Sequence, residues 1–433
     1  MNEIRIGLIG AGTVGGGVVK VLANRIEAFK KELGLSIKLA RVADKVSSRF
    51  NELPVQDAIC TTEANDIIND PSIDIVIELI GGTTFAKTVV LDALNHKKHV
   101  ITANKALIAE FGPQIFECAE KNNVSLYFEA SVGGGMPVIK AIREGLVGND
   151  IFSVKTIING TCNYILSTMT SEGLPFEQVL KAAQEKGYAE ADPALDISGG
   201  DSGHKVAILA SLISNGYICY DRIHKEGITT IGAQDIAFAF ELGYVIKLLG
   251  VIKKDKVADG LDVRVHPAML RKNHILASVS DAFNAVLIEG DAVGQILLYG
   301  KGAGEMPTAS AVVSDVIDVA RNISGKTPIR VPMGFYSSNH EVSVKTIDTI
   351  TSRYYLRFTV EDRPGVLASI TSDLSNQGIS IASVIQKEWH SDNSVPVIIL
   401  THQASEKGIN LALMKIEQSD YIRAKTQLIR IED

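Results

Sequence analysis

The sequence predicts an α/β protein in three parts: a parallel sheet covered by helices, a mixed α+β segment, and a C-terminal unit of ferredoxin-like order. Three observations carry this. Short apolar strands alternate with helical stretches through residue 102. A glycine-rich turn joins the first strand to the first helix. Residues 353–433 run strand, helix, strand, strand, helix, strand.

Taken in order, Ile4–Ile9 is a short apolar strand. Residues 14–33 place Val18, Leu22, Ile26, Phe29 and Leu33 at spacings of three and four, one face of a helix. Strands are predicted at 37–42, 73–79 and His99–Thr102. Beyond Val132 the pattern turns to glycine-rich turns and mixed strands, with a long helix at 201–214 and another at 308–321, its apolar face made by Val312, Val313, Val316 and Val319. A Pro/Gly/Ser-bearing connection runs from 325 to about 339. In the C-terminal unit Tyr354, Leu356, Phe358 and Val360 alternate as a strand, and Asp362-Arg363-Pro364-Gly365 makes a turn. Val366, Ile370 and Leu374 line a helix closed by Gly378. Strands at 379–385 and 395–400, a helix at 410–418 and a strand at 428–431 follow.

Composition bounds the function. A length of 433 residues suggests roughly three domains. With 46% hydrophobic and 21% charged residues the chain is not intrinsically disordered. The balance of 43 basic and 50 acidic residues leaves a net charge of −7, which argues against a nucleic-acid or anionic-membrane surface. The longest apolar run, 206–213, falls far short of the ~20 residues of a membrane span. With Met1-Asn2-Glu3 running straight into an apolar strand, no signal peptide is expected. Cys60, Cys118, Cys162 and Cys219 show no C-x-x-C or zinc spacing and read as reduced thiols, so a soluble cytoplasmic protein is expected.

The chemistry sits where the 37 glycines cluster. Gly10-Ala11-Gly12-Thr13-Val14-Gly15 is a G-x-G-x-x-G between a strand and a helix, the context in which it binds a dinucleotide pyrophosphate on the helix N-terminus. Asp44 is the candidate ribose ligand, although it lies 29 residues past Gly15 rather than ~20. Its carboxylate favours NAD, whereas Lys45 and Arg49 offer charge for NADP, and the choice stays open. Thr102-Ala103-Asn104-Lys105 lies at the carboxyl end of a parallel strand, where ligands collect; Lys105 is either solvated or beside the nicotinamide. The glycines of Glu129 to Pro137 let carbonyls converge on a cation or let two chain segments cross. Between Gly187 and Lys205, Glu190, Asp192, Asp196 and Asp201 precede a lysine. Asp201 and Lys205 share a helix face, as a cap and surface ion pair or as carboxylates for a substrate ammonium with Lys205 handling a proton. His204 points elsewhere and reads as structural.

These strings, with Asn159-Gly160-Thr161-Cys162-Asn163-Tyr164, residues 233–244 and Gly300-Lys301-Gly302-Ala303-Gly304, closely resemble the homoserine dehydrogenase family, the monofunctional type with a C-terminal ACT domain. The resemblance spans essentially the whole chain. It implies a Rossmann-type NAD(P)-binding domain (1–131 plus about 306–335), a catalytic and dimerisation domain (132–305), a linker (336–352) and an ACT regulatory domain (353–433). It implies NAD(P)-dependent interconversion of L-homoserine and L-aspartate 4-semialdehyde, on the route to threonine, methionine and isoleucine. In that frame Lys205 is the proton donor and acceptor, Lys105 sits beside the nicotinamide and assists, and Glu190 binds the substrate amino group with support from Asp196 and Asp201. Gly10, Gly12, Thr13, Val14, Gly15, Asp44, Gly81, Thr83, Lys105 and Gly304 hold the cofactor. A structural sodium ion falls to backbone carbonyls of Glu129, Val132, Gly134 and Met136, and an amino-acid effector, threonine by pathway logic, to Asp362 and Gly365. A homodimer or homotetramer is implied.

Two departures stand out. Ala43 occupies a position where many members carry Arg or Lys, which weakens the case for strong NADP preference, and Phe85 replaces a loop proline. Two other readings compete: another amino-acid dehydrogenase on the same fold, and a non-catalytic sensor of dinucleotide and amino acid. Retention of Lys105, Glu190, Asp196, Asp201 and Lys205 argues against the sensor, which needs no such set.

Overall fold

A computed structural model describes residues 3–55, 57–254, 260–327, 341–386 and 394–432. The chain packs as two compact units. The first comprises Met1–Gly160, Ser202–Ile223 and Phe283–Ser343; the second comprises Thr161–Asp201, His224–Ala282 and Val344–Asp433.

The first unit holds a six-stranded parallel sheet. Its order is Ile59–Thr61, Ile37–Ala43, Ile4–Ile9, Ile75–Glu78, His99–Thr102 and Leu126–Tyr127. Strand order reverses between Ile4–Ile9 and Ile75–Glu78, so the crevice at their carboxyl ends is the topological switch point where such sheets take ligands. The strands are buried on both faces: Ile6, Leu8, Val42, Ile75, Ile77 and Ile101 have no exposed surface. This is why they read as continuous apolar runs rather than alternating ones.

The helix Thr13–Leu33 adds Val18, Val19 and Leu22 to this core, and a helix from the far end of the chain, Glu305–Gly325, adds Ala309, Val312, Val316 and Val319. Gly17 makes their approach possible, because a Cβ there would stand 2.9 Å from the Glu305 carbonyl oxygen and 3.0 Å from the Ala309 Cβ. Three antiparallel strands, Ile151–Ile157, Phe283–Gly290 and Gly294–Lys301, complete the unit. The apolar 206–213 run lies in the helix Gly200–Ser214 and is buried on all sides, not membrane-spanning. Among the described residues no helix is long and apolar enough to cross a membrane.

In the second unit Tyr244–Lys254 and Leu261–Arg271 form a long antiparallel pair, and Ile422–Ile431 joins it in parallel through Ala268 opposite Arg430 and Met269 opposite Ile431. Thr351–Glu361, Ser394–Thr401 and Ile381–Gln386 follow in antiparallel array. With helices Val366–Asn376 and Glu406–Ile416 they make the expected β-α-β-β-α-β motif around Tyr354, Leu356, Phe358, Ile370, Leu374 and Ile409. The expected α/β fold class therefore holds.

Boundaries shift where polar residues hide an element's end. The last helix begins at Glu406, ahead of the apolar period, because the Ser405 hydroxyl caps the Gly408 N–H at 3.1 Å. The terminal strand begins at Ile422, since its polar first half lies on the exposed face. The helix expected from 308 starts at Glu305 and runs to Gly325. Most of the expected connection up to about 339 lies outside the described residues.

Candidate functional site

The glycine turn is shaped by contacts that only glycine allows. Gly10 has φ +98°, and a Cβ there would meet the Leu79 carbonyl oxygen at 2.6 Å; at Gly15 it would meet the Gly10 carbonyl oxygen at 1.9 Å. Gly12 differs: a Cβ there would meet only Arg49 Nη1, at 3.8 Å, so its face opens on free space. The helix that follows has no side-chain cap and no acidic residue in its first turn. Its first N–H groups, from Thr13 and Val14 onward, thus form a helix N-terminus able to receive an anion.

Asp44 ends the second strand, with only 8% exposed. Its carboxylate accepts the Ala11 N–H at 2.7 Å, the Val46 N–H at 2.8 Å and Arg49 Nη1 at 2.9 Å. Burial would raise its pKa, but the two backbone donors and Arg49 together hold it below the usual carboxylate value. The carboxylate expected at the ribose therefore also pins the phosphate turn, and brings Arg49 to the open side of Gly12. Lys45 lies over the Phe85 ring, 5.1 Å from its centre.

The loop carrying Gly81 and Thr83 is joined to the strand end before Lys105. Asn104 Nδ2 donates to the Gly82 carbonyl at 2.5 Å, while its Oδ1 caps the Lys105–Lys121 helix through Leu107 N at 3.1 Å. Beneath both lies Glu78, fully buried, accepting from Ile80 N at 2.7 Å and Thr102 Oγ1 at 2.6 Å. Burial pushes its carboxyl up despite these donors. Sequence reasoning missed Glu78, although a glutamate closing an apolar strand was the available signal. Gly304, at φ +120°, opens the helix whose Glu305 packs against Gly17 and pairs with Lys20 at 2.6 Å.

Lys205 donates from Nζ to the Ile158 carbonyl at 2.8 Å, just beyond the Ile151–Ile157 strand. His204 stacks on Tyr220 with ring centres 4.1 Å apart and bonds Glu110 at 3.1 Å, a packing role as expected.

In the Glu129 to Pro137 stretch, Gly133 and Gly134 take φ +76° and +56°. A Cβ on Gly134 would stand 2.5 Å from the Gly302 carbonyl, so two chain segments do cross here. The Glu129 carboxylate accepts the Ile139 and Lys140 N–H groups at 2.8 Å each, and its backbone N–H donates to Asp315 at 2.9 Å. Burial pushes the Glu129 carboxyl up to about 7. The loop's oxygens are hard donors, and those of Val132, Gly134 and Met136 lie in buried residues, a chemistry that fits an alkali or alkaline-earth ion.

In the second unit Glu190 is exposed and follows Gly187, which takes φ +74°. The Thr161 hydroxyl lies 2.7 Å from the Tyr188 carbonyl and 3.0 Å from Asp196 Oδ2, and so anchors both ends of the segment. Asp192 is spent locally, accepting the Ala194 N–H at 3.1 Å. Asp201 lies in the first turn of Gly200–Ser214, one turn before Lys205. A buried residue that the sequence did not single out, Lys247, donates to Asn163 Oδ1, Ser167 Oγ and the Val279 carbonyl at 2.7–3.1 Å and so fixes the helix that begins at Gly160. In the C-terminal motif Gly365 takes φ +93° at the start of Val366–Asn376. With Asp362, Gln386 and Val397 it lines a pocket of about 200 Å³.

Known proteins extend this picture. A family model described as the NAD binding domain of homoserine dehydrogenase matches residues 10–129, one described as homoserine dehydrogenase matches 137–317, and one described as ACT domain matches 354–420. Fold and glycine turn thus define a nicotinamide-dinucleotide oxidoreductase carrying an ACT domain. The homoserine dehydrogenase of Neisseria gonorrhoeae is 43% identical over 436 residues, covering 100% of this chain and 99% of its own. That of Synechocystis is 42% identical over 432 residues, covering 99% of each. The crystal structure of a homoserine dehydrogenase from Thiobacillus denitrificans matches with a TM-score of 0.94 at 43% identity, covering 100% of this chain and 99% of that one. The chain belongs to the homoserine dehydrogenase family.

Proposed function

We propose that this enzyme interconverts L-homoserine and L-aspartate 4-semialdehyde through Lys205 as proton donor and acceptor, assisted by Lys105. The observation that carries the cofactor half is the open face of Gly12 at an uncapped helix N-terminus. The bound dinucleotide supplies hydride in one direction and accepts it in the other. As the carbonyl is reduced, negative charge grows on its oxygen; an ammonium at that oxygen stabilises the charge and delivers the proton. In oxidation the neutral amine takes the hydroxyl proton back. Glu190 binds the substrate ammonium, and Asp196 and Asp201 support that pocket. Gly10, Gly12, Thr13, Val14 and Gly15 hold the pyrophosphate, Asp44 the ribose, and Gly81, Thr83, Lys105 and Gly304 frame the rest of the cofactor.

The same reading places a sodium ion on the carbonyls of Glu129, Val132, Gly134 and Met136 as a structural clamp. It places an amino-acid effector at Asp362 and Gly365, with threonine the candidate because feedback by a pathway product is the usual logic. The enzyme works in the cytoplasm as a homodimer or homotetramer, on the route to threonine, methionine and isoleucine. Its domains divide at 1–131 with about 306–335, at 132–305 and at 353–433, with 336–352 as the linker.

One assay tests the core of this: homoserine-dependent reduction of NAD and of NADP side by side, with and without threonine. Absence of turnover with either dinucleotide overturns the reaction, and calorimetry without threonine binding overturns the effector. Lys205→Ala is expected to bind dinucleotide normally and to lose turnover by about two to four orders of magnitude. Near-normal turnover would remove Lys205 from the chemistry.

A further inference from the structure

The last strand of the ACT domain carries a buried arginine that belongs to more than that domain. Arg430 is 2% exposed. Its Nε donates to Glu406 Oε2 at 2.9 Å, at the start of the second ACT helix, and Tyr354 bonds the same oxygen at 2.8 Å. Its two terminal nitrogens donate in parallel to Glu226 Oε1 and Oε2, both at 2.9 Å, across 204 positions of sequence. Glu226 also takes a bond from His224 at 2.6 Å, and its backbone N–H donates to the Val265 carbonyl at 2.8 Å. Burial alone would raise the Glu226 carboxyl; His224 and Arg430 hold it well below the usual range, so it stays ionised in the pair.

The backbone at Glu226 lies against the end of the segment 187–199, at Ile197 to Gly199. Gly227 follows Glu226, and a Cβ there would lie 2.0 Å from the Ile197 carbonyl oxygen, so the two backbones touch. Ile228 N donates to that same oxygen at 2.9 Å. In return a Cβ on Gly199 would stand 3.0 Å from the Glu226 carbonyl oxygen. Thr161 anchors the opposite side of the segment through Tyr188 and Asp196. The segment is therefore clamped between one helix start and one acidic strap, and the strap is fastened by Arg430.

We infer that Arg430, acting through Glu226, is a positioning residue for the 187–199 segment, so that the ACT domain helps set the conformation in which Glu190 and Asp196 meet substrate. The last clause rests on the assignment of those two carboxylates to the substrate. A bidentate, charge-assisted pair fixes orientation as well as distance, which is what a brace requires.

The test uses the full-length enzyme with Glu226→Gln, which keeps size and removes the charge, and Glu226→Asp as the conservative partner. Amide hydrogen exchange across 187–199 is expected to quicken about tenfold in Glu226→Gln, as loss of a charged hydrogen-bonded pair implies. The KM for homoserine rises about tenfold while kcat and the KM for dinucleotide stay within about twofold, and Glu226→Asp recovers most of the loss. Arg430→Lys, if it folds, behaves as Glu226→Gln. Unchanged exchange in 187–199 overturns the proposal whatever KM does. Faster exchange with an unchanged homoserine KM upholds the brace and overturns the substrate assignment, which Glu190→Ala checks independently.

Discussion

Around Gly12 the absence of a side chain leaves room for a phosphate, and the nearest charge to that room is the Arg49 guanidinium, held in place by Asp44. On the proposed placement of Asp44 at the ribose, the two set the cofactor choice: Asp44 would repel a 2′-phosphate and Arg49 would attract it. Arg49→Gln is expected to raise the KM for NADP about tenfold and to leave that for NAD within about twofold; steady-state kinetics with both dinucleotides check this, and equal shifts would refute it. Asp44 was readable as the acidic residue ending the second strand, but its hold on Ala11 N–H was not, because sequence does not show which donor a buried carboxylate meets. Lys247 is a second case. Burial lowers its pKa to about 8, against an ordinary value near 10.4. Between those values Lys247 binds more protons in the unfolded chain than in the folded one, so its own contribution to stability rises as pH goes from about 8 to 10. Urea unfolding of wild type and Lys247→Met at pH 7 and pH 10 is expected to show this as a gain of the wild type relative to the variant. An equal pH response in both would disprove it.

Among elements, amphipathic helices and the first strands were plain from spacing, since each shows its buried face as a period. The Tyr244–Lys254 and Leu261–Arg271 pair was not placed, because strands buried along most of their length lose the alternation that marks a half-exposed strand. Links between elements were equally hidden. The helix Ala233–Glu241 is tied to the strand Thr351–Glu361 by Asp235, which has no exposed surface and accepts Arg357 Nε at 2.6 Å, Arg357 Nη2 at 2.9 Å and Tyr355 Oη at 3.0 Å. Removing one partner strands a buried charge. Asp235→Ala is therefore expected to cost about 3–5 kcal/mol in urea unfolding, and the double variant Asp235→Leu with Arg357→Met to recover much of it. A single variant within about 0.5 kcal/mol of wild type, the scatter of surface substitutions, would show the pair to be idle.

For the whole molecule, the C-terminal motif reads as an independent unit, with its own core and its own strand order. In the second compact unit its terminal strand is nonetheless paired with Leu261–Arg271, and its last residues close buried charges: Glu432 bonds Arg264 and Lys253, and Arg430 bonds Glu226. A chain ending at Lys345 would expose that strand edge and leave Glu226 without its arginine. It is expected to be aggregated or to lack a cooperative unfolding transition, as size-exclusion chromatography and circular dichroism would show. A soluble, cooperatively unfolding truncated chain would mean that the motif is an appendage.

The sequence by itself determined the class of the protein: the glycine turn with its strand and helix, the lysines at 105 and 205, the carboxylates before the second of them, and the ferredoxin-like order of the C-terminal part. All are local patterns, within about one element of each other, and local sterics and periodicity leave few alternatives for them. Only the tertiary structure decided that Asp44 pins the glycine turn, that Glu78 lies beneath the loop at Gly81 and the strand end before Lys105, that Lys247 holds the helix beginning at Gly160, and that Arg430 pairs with Glu226. Each of these is a buried polar group whose partner is chosen by the packing of distant segments. Burial makes such a group costly until it is paired, but which distant segment pairs it is set by how the elements pack and leaves no period in the sequence.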